Sequence, residues 1–234
     1  MLKNKLIHGD AFVQIKKIQT SSVDLILTDP PFNLNPYSTG NIKLPNRKEL
    51  NNDIADWDKD FKPEKIAEEF LRILSPKGNL FIFTSYNTVG KWHELLDNKF
   101  DTFQFFIWHK TNPSPKIFKN GFLNSCEMVV CCWNKGHHWN FTKQNEMHNF
   151  FESPICMGKE RIKEPFHPTQ KPVSVLKHLI KIASVEGSII CDPFMGVGST
   201  GAAVHQVGGG RKFIGIERDK AYFYAAKKRL NSNE

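Results

Sequence analysis

Gly196, Gly198 and Gly201 stand in GVGSTG with the spacing G-x-G-x-x-G, directly behind the apolar run SIICDP and ahead of a helical pattern near 200–206. A strand that feeds a helix through so tight a glycine turn belongs to a parallel α/β sheet, with a ligand crevice outside the carboxyl ends of the strands. The rest of the chain obeys the same grammar. KLIHGD and VDLILTD read as short buried strands on either side of AFVQIKKI, whose apolar residues recur at helical spacing. Pro63 suits the first position of a helix over EKIAEEFLRIL, where Ile66, Phe70, Ile73 and Leu74 share a face, and Ser75-Pro76-Lys77-Gly78 is its stop. NLFIFT (79–84) follows as a core strand, then a helix over 89–96, then the β-rich runs FQFFIWHK and CEMVVCCW. VSVLKHLIKIAS is an amphipathic helix, KFIGIE a last strand and KAYFYAAKKRL a last helix. The alternation predicts an α/β sandwich, a mostly parallel sheet with helices on both faces.

With 234 residues, 40% of them hydrophobic, the chain can bury one sizeable core, and a single domain over 1–234 is expected. No apolar run reaches the roughly 20 residues of a membrane span. The start, MLKNKLIHGD, lacks a secretory apolar segment, so a cytoplasmic location is expected, with no membrane partner. Five cysteines, two of them adjacent at Cys131 and Cys132 in an apolar run, suit reduced buried thiols better than a disulfide framework. No spacing matches a metal site. Lys and Arg exceed Asp and Glu by 32 to 24, a surplus that fits either a polyanionic partner or a solvated lysine-rich surface.

Glu217 ends the strand after the glycine turn, where a carboxylate can accept both hydroxyls of a ribose. That context also fits a nicotinamide-dependent oxidoreductase. Asp192, however, sits at the carboxyl end of SIICD, where a pyrophosphate would have to lie and would be repelled. A ligand with an amino group, a sulfonium and no phosphate has the complementary charge, which describes S-adenosylmethionine; Ser199, Thr200 and the helix N-terminus then face its carboxylate.

A second signal follows VDLILT: Asp29-Pro30-Pro31-Phe32. Consecutive prolines hold the backbone extended and carry no N–H, so their carbonyls stay available as acceptors. An exocyclic amine on adenine or cytosine is a poor nucleophile because its lone pair is delocalised into the ring. Accepting its hydrogens at Asp29 and at the Pro30 carbonyl favours a tetrahedral nitrogen, while Phe32 offers a face for the base.

With TDPPF early, HPTQKP at 167–172 and DPFMGVGSTG late, the chain resembles the amino-methylating DNA methyltransferases, specifically the circularly permuted β group in which the catalytic motif precedes the cofactor motif. The resemblance implies a Rossmann-like S-adenosylmethionine-dependent fold. A tetrad led by Asp goes with adenine N6 in that family, and one led by Ser more often with cytosine N4. Asp29 therefore points to adenine, with cytosine N4 the alternative; Phe32 keeps the stacking face of the commoner Tyr. Carried over, the resemblance places Asp192, Phe194, Gly196, Gly198, Ser199 and Thr200, with Asp29, around the methionine part of the cofactor. Glu217 takes the ribose, Asp10 and Ala11 the adenine ring, and His167 and Thr169 an additional cofactor-side motif. Only one helix follows Glu217, so the half-sheet of SIICDP and KFIGIE must be completed from the N-terminus. KLIHGD then lies beside KFIGIE, and VDLILTD on the other side of SIICDP.

Two long aperiodic stretches, 33–60 and 135–168, are expected to hold the residues that read double-stranded DNA. Trp57, Trp133 and Trp139 suit either stacking on bases or ordinary packing, and Lys143, Lys159, Arg161 and Lys163 suit either phosphates or a solvated face. The resemblance also allows a homodimer and a cognate restriction endonuclease as partners. Outside catalysis, a basic nucleic-acid-binding module remains an alternative, as does methyl transfer to RNA or to a protein amide.

Overall fold

Period-two alternation along the strands and 3.6-residue spacing along the helices sort the apolar residues onto two faces of one sheet. The computed structural model describes residues 4–33, 41–42, 50–51, 61–115 and 121–231. In chain order the elements are β1 (Lys5–His8), α1 (Ala11–Gln14), β2 (Val23–Thr28), β3 (Asn41–Ile42), β4 (Leu50–Asn51), α2 (Glu64–Ile73), β5 (Leu74–Thr84) and α3 (Val89–Leu96). They continue as β6 (Thr102–Lys110), β7 (Cys126–Trp133), β8 (Phe150–Ser153), α4 (Val173–Ala183), β9 (Ile189–Asp192), α5 (Ser199–Val207), β10 (Lys212–Glu217) and α6 (Lys220–Asn231).

Eight strands form one sheet in the order β1-β10-β9-β2-β5-β7-β6-β8, while β3 and β4 pair separately. Only β7 runs antiparallel to its neighbours in that sheet. The N-terminal strand β1 pairs with β10, and β2 pairs with β9, as the permuted order requires. One face carries Leu25, Leu27, Phe81, Phe83, Val129 and Cys131 against α4, α5 and α6. The other carries Ile26, Leu80, Ile82, Val130 and Cys132 against α1, α2 and α3, where the ring of Trp92 stacks on Phe70 at 6.1 Å. Cys131 and Cys132 are thus core residues on opposite faces, and all five cysteines are free.

Two local expectations change. Ser75 to Gly78 is not a free turn after α2: it lies within β5, bulged between the pairs Val23–Leu74 and Leu25–Asn79. The aperiodic stretch 135–168 contains the edge strand β8, which extends the sheet parallel to β6. The stretch 33–60 lies mostly outside the described residues, Trp57 included, but its base is visible. Asn33, at φ +56°, receives the Phe61 N–H and donates to the Phe61 carbonyl, both at 2.7 Å, so the excursion leaves and returns at one point. Among the described residues no helix is long and apolar enough to cross a membrane.

Candidate active site

Adjacent strands β2 and β9 end side by side, and their last residues bond to each other. Thr28 donates its hydroxyl to Asp192 Oδ1 at 2.8 Å, Thr200 donates to Oδ2 at 2.6 Å, and the Phe194 N–H reaches Oδ1 at 3.1 Å. Burial pushes the Asp192 carboxyl up to about 6, although these three donors favour its charged form. The hydroxyl hydrogen of Thr200 is therefore committed to Asp192, and the start of α5 presents its backbone N–H groups to any incoming carboxylate.

The three glycines have separate jobs. Gly196, at φ +51°, borders the crevice, where an added Cβ would stand 2.9 Å from His167 Nε2. Its N–H bonds Glu217 Oε2 at 2.9 Å, while Glu217 Oε1 receives the Asp219 N–H at 2.6 Å. Each oxygen of Glu217 keeps a second lone pair for a ligand hydroxyl. Gly198, at φ +79°, instead faces α6, where a Cβ would meet that of Ala226 at 3.1 Å; Gly201 leaves room for Phe213 and Leu230. Spacing alone could not separate these roles.

Beyond Thr28 the two prolines end the β2 ladder, and the turn is braced by the residues that follow the end of β5. Ser85 donates to the Phe32 carbonyl at 2.8 Å, and the Asn87 amide to that of Asn33 at 2.9 Å. Asp29 Oδ2 accepts from Lys171 Nζ at 2.6 Å, while its buried Oδ1 has no hydrogen-bond partner. Burial, outweighing the lysine, pushes the Asp29 carboxyl up to about 7. Lys171 also lies 3.2 Å from Glu127 Oε2, and Glu127 Oε1 lies 3.0 Å from Lys110 Nζ. Burial alone would raise Glu127, but Lys171 and Lys110 hold its carboxyl below the usual range.

The segment before α4 closes the opposite wall. Arg161 donates to the carbonyls of His167 and Pro168 at 2.8 and 3.0 Å, so it braces this segment from within the fold. Gln170 bonds Ile162 N and the Glu160 carbonyl, both at 2.9 Å. Burial, then the charges of Lys171 and Arg161, push the His167 imidazole down to about 4, so the ring is neutral and lies 4.6 Å from that of Tyr222. Asp10 caps α1 through the Phe12 N–H at 2.9 Å, and Gly9 N–H bonds the Glu217 carbonyl at 2.9 Å, which brings the end of β1 to the same edge.

Every residue expected around the cofactor except Gly198 lines a single cavity of about 730 Å³, and so does the whole 29–32 turn. The cavity also holds residues that the sequence reading did not single out. Lys171 stood unremarked inside HPTQKP, and the signal for it was a charge in an otherwise neutral motif. Phe12 and Phe61 join Phe194 in a ring cluster with centroids 5.6 to 6.3 Å apart; Phe61 ends an aperiodic stretch and gave no signal. Asp29, Asp192 and Glu217 stand together on the strand-end wall of the cavity, and Asp29 Oδ1 lacks a donor. Such a wall fits a cation bearing an amine and a sulfonium, and the missing Cβ of Gly196 leaves its backbone open to close approach.

Comparison with known proteins gives the same picture. The model of the N6/N4 DNA methylase family matches residues 23–228. The chain is 32% identical over 97% of its length to the type II methyltransferase M.HinfI of Haemophilus influenzae, covering 68% of that protein. It is 31% identical to the type II methyltransferase M2.LlaDCHI of Lactococcus lactis subsp. cremoris, covering 97% of this chain and 88% of that one. Among solved structures, the M1.HpyAVI complex with S-adenosylmethionine superposes with a TM-score of 0.72 at 31% identity, over 97% of this chain and 98% of that one.

Proposed function

Because the chain belongs to the N6/N4 DNA methylase family and takes S-adenosylmethionine as its methyl donor, we propose that this DNA methyltransferase modifies the N6 amine of an adenine swung out of double-stranded DNA. The observation that carries the reading is the shared crevice. Asp29 heads the proline turn at the end of β2, one residue beyond the Thr28 hydroxyl that bonds Asp192 at the end of β9.

In this reading Asp192 and the α5 N-terminus hold the methionine end of the cofactor, with His167 and Thr169 closing that side. Glu217 accepts the ribose hydroxyls through its remaining lone pairs, and Asp10 and Ala11, with the rings of Phe12 and Phe61, border the adenine ring of the cofactor, while Phe194 serves its methionine part. The bound cofactor supplies an electrophilic methyl whose bond to sulfur breaks as the nitrogen–carbon bond forms, the electron pair staying on sulfur. Asp29 Oδ1 and the Pro30 carbonyl accept the two amine hydrogens and draw the lone pair out of the ring, while Phe32 stacks on the base. The alkylated nitrogen is acidic, so Asp29 takes its proton and passes it to water; the buried cysteines have no part in this route. Recognition of DNA falls to the stretches 33–60 and 135–168; Phe61, next to the first, and His167, within the second, form part of the cavity wall.

The test is transfer of a tritiated methyl group from S-adenosylmethionine to duplex DNA, followed by digestion to nucleosides. Label in N6-methyl-2′-deoxyadenosine is expected; label in N4-methyl-2′-deoxycytidine would overturn the choice of base.

Cofactor binding should also depend on pH. Placing a cation beside Asp192 favours its carboxylate, so affinity weakens as pH falls through about 6. Calorimetric titration is expected to give a Kd for S-adenosylmethionine about tenfold weaker at pH 5 than at pH 7. S-adenosylhomocysteine, which lacks the sulfonium, is expected to show a shallower trend.

A further inference from the structure

Lys171 occupies a position that the chemistry above does not use. Its side chain is only 6% exposed, and its ammonium touches two carboxylates, Asp29 at 2.6 Å and Glu127 at 3.2 Å. It also stands over two rings, 5.0 Å from the centre of Phe32 and 5.2 Å from that of Phe83. Glu127 is in turn tied to Lys110 at 3.0 Å. Charges of alternating sign thus run in a row from β6 across β7 to the proline turn. Two negative charges act against ionisation of Asp29, Glu127 itself and then Asp192 on β9, and Lys171 opposes both.

The row is not needed to close the core. Buried ion pairs contribute little net stability compared with apolar packing, so four aligned charges at a crevice call for another purpose. An amine that donates two hydrogen bonds and finally loses one proton needs an acceptor. A lone carboxyl in so dry a place takes up a proton and presents an O–H donor instead.

We propose that Lys171 is a positioning residue for methyl transfer: anchored by Glu127, it caps Asp29 Oδ2, keeps Asp29 a carboxylate and leaves Oδ1 turned to the target amine. The arrangement accounts for the asymmetry of Asp29, one oxygen bonded and the other buried without a partner. Glu127, backed by Lys110, balances the ammonium from the side away from the turn, so the group remains charged: burial would lower the Lys171 pKa, and the two carboxylates raise it instead. The inference rests on Asp29 accepting the amine hydrogens.

The experiment is the pH profile of single-turnover methyl transfer to duplex DNA, from pH 5.5 to 10, for the wild type and for Lys171→Met, Lys171→Gln and Lys171→Arg. Affinity for S-adenosylhomocysteine, measured alongside, reports on an intact cofactor pocket. The wild-type rate is expected to rise through an acid limb at or below pH 7, because a cationic donor in the crevice favours the charged form of a carboxyl that otherwise stands at about 7. Without the ammonium the limb should move about one pH unit or more to the alkaline side, with the lost rate largely recovered above it. Lys171→Arg, which keeps the charge, should hold the limb near its wild-type place. If Met fails to bind S-adenosylhomocysteine, the Gln and Arg profiles decide. A limb that stays put in the neutral variants while the rate falls by one factor at every pH would overturn the proposal, as would a wild-type profile without a limb. Asp29→Asn separates the two readings: wild-type transfer in that variant would remove Asp29 itself from the chemistry, whatever Lys171 does.

Discussion

Asp29→Ala is expected to slow methyl transfer to DNA by about 10²- to 10³-fold, the cost of losing one preorganised polar group aimed at the developing charge of a transition state. The cofactor pocket should survive, because Asp192 and Glu217 are held by donors other than Asp29. Binding of S-adenosylhomocysteine is therefore expected to stay within a few-fold of wild type while tritium transfer collapses. The same change strips Lys171 of one of its two carboxylates, so the variant should also melt at a lower temperature. Asp29→Asn keeps an acceptor oxygen but loses the charge, and its rate should fall between the two. Near-normal transfer in Asp29→Ala would dismiss the residue from catalysis.

Glu217→Ala should act on the other half of the reaction. Two charge-assisted hydrogen bonds to ribose hydroxyls, each worth about 1.5 to 3 kcal/mol, correspond to a loss of affinity of about 10²-fold or more. The truncation also releases the Gly196 and Asp219 N–H groups, which loosens the glycine turn. Calorimetry with S-adenosylmethionine and with adenosine measures this directly, and both are expected to weaken together, since the ribose is common to them. Loss of S-adenosylmethionine binding with adenosine unaffected would place Glu217 at the methionine end instead.

The parts of this protein that were legible in its sequence are those governed by local pattern. The buried strands β2, β9 and β10 announce themselves as short apolar runs. Their neighbour relations followed from the permuted order of the motifs, with the catalytic turn ahead of the glycine turn. The parts that were not legible depend on contacts between distant segments. Ser75 to Gly78 has the composition of a turn, and only its pairing with β2 makes it a bulge. Phe150–Ser153 sits in a stretch without a clear period, and only its pairing with β6 makes it a strand. Gly198 matches a ligand loop in spacing, yet its open side is filled by α6. Lys171, Glu127 and Lys110 lie on three segments, and nothing in any one of them foretells that their charges meet. A faint cue existed in Glu127, the one charge in CEMVVCCW, on the same alternation as Val129 and Cys131.

The reversed direction of β7 has an arithmetical consequence. Because that strand runs against its neighbours, its beginning rather than its end arrives at the crevice, and Glu127 reaches Lys171 only while the count back from Val129 stays even. Deleting one residue after Glu127 would deliver the thiol of Cys126 in place of the anion, with the sheet otherwise able to form. Additions ahead of Ser125 would leave that parity untouched. Length variation among natural or engineered forms should therefore be tolerated in the connection before β7 and punished within it.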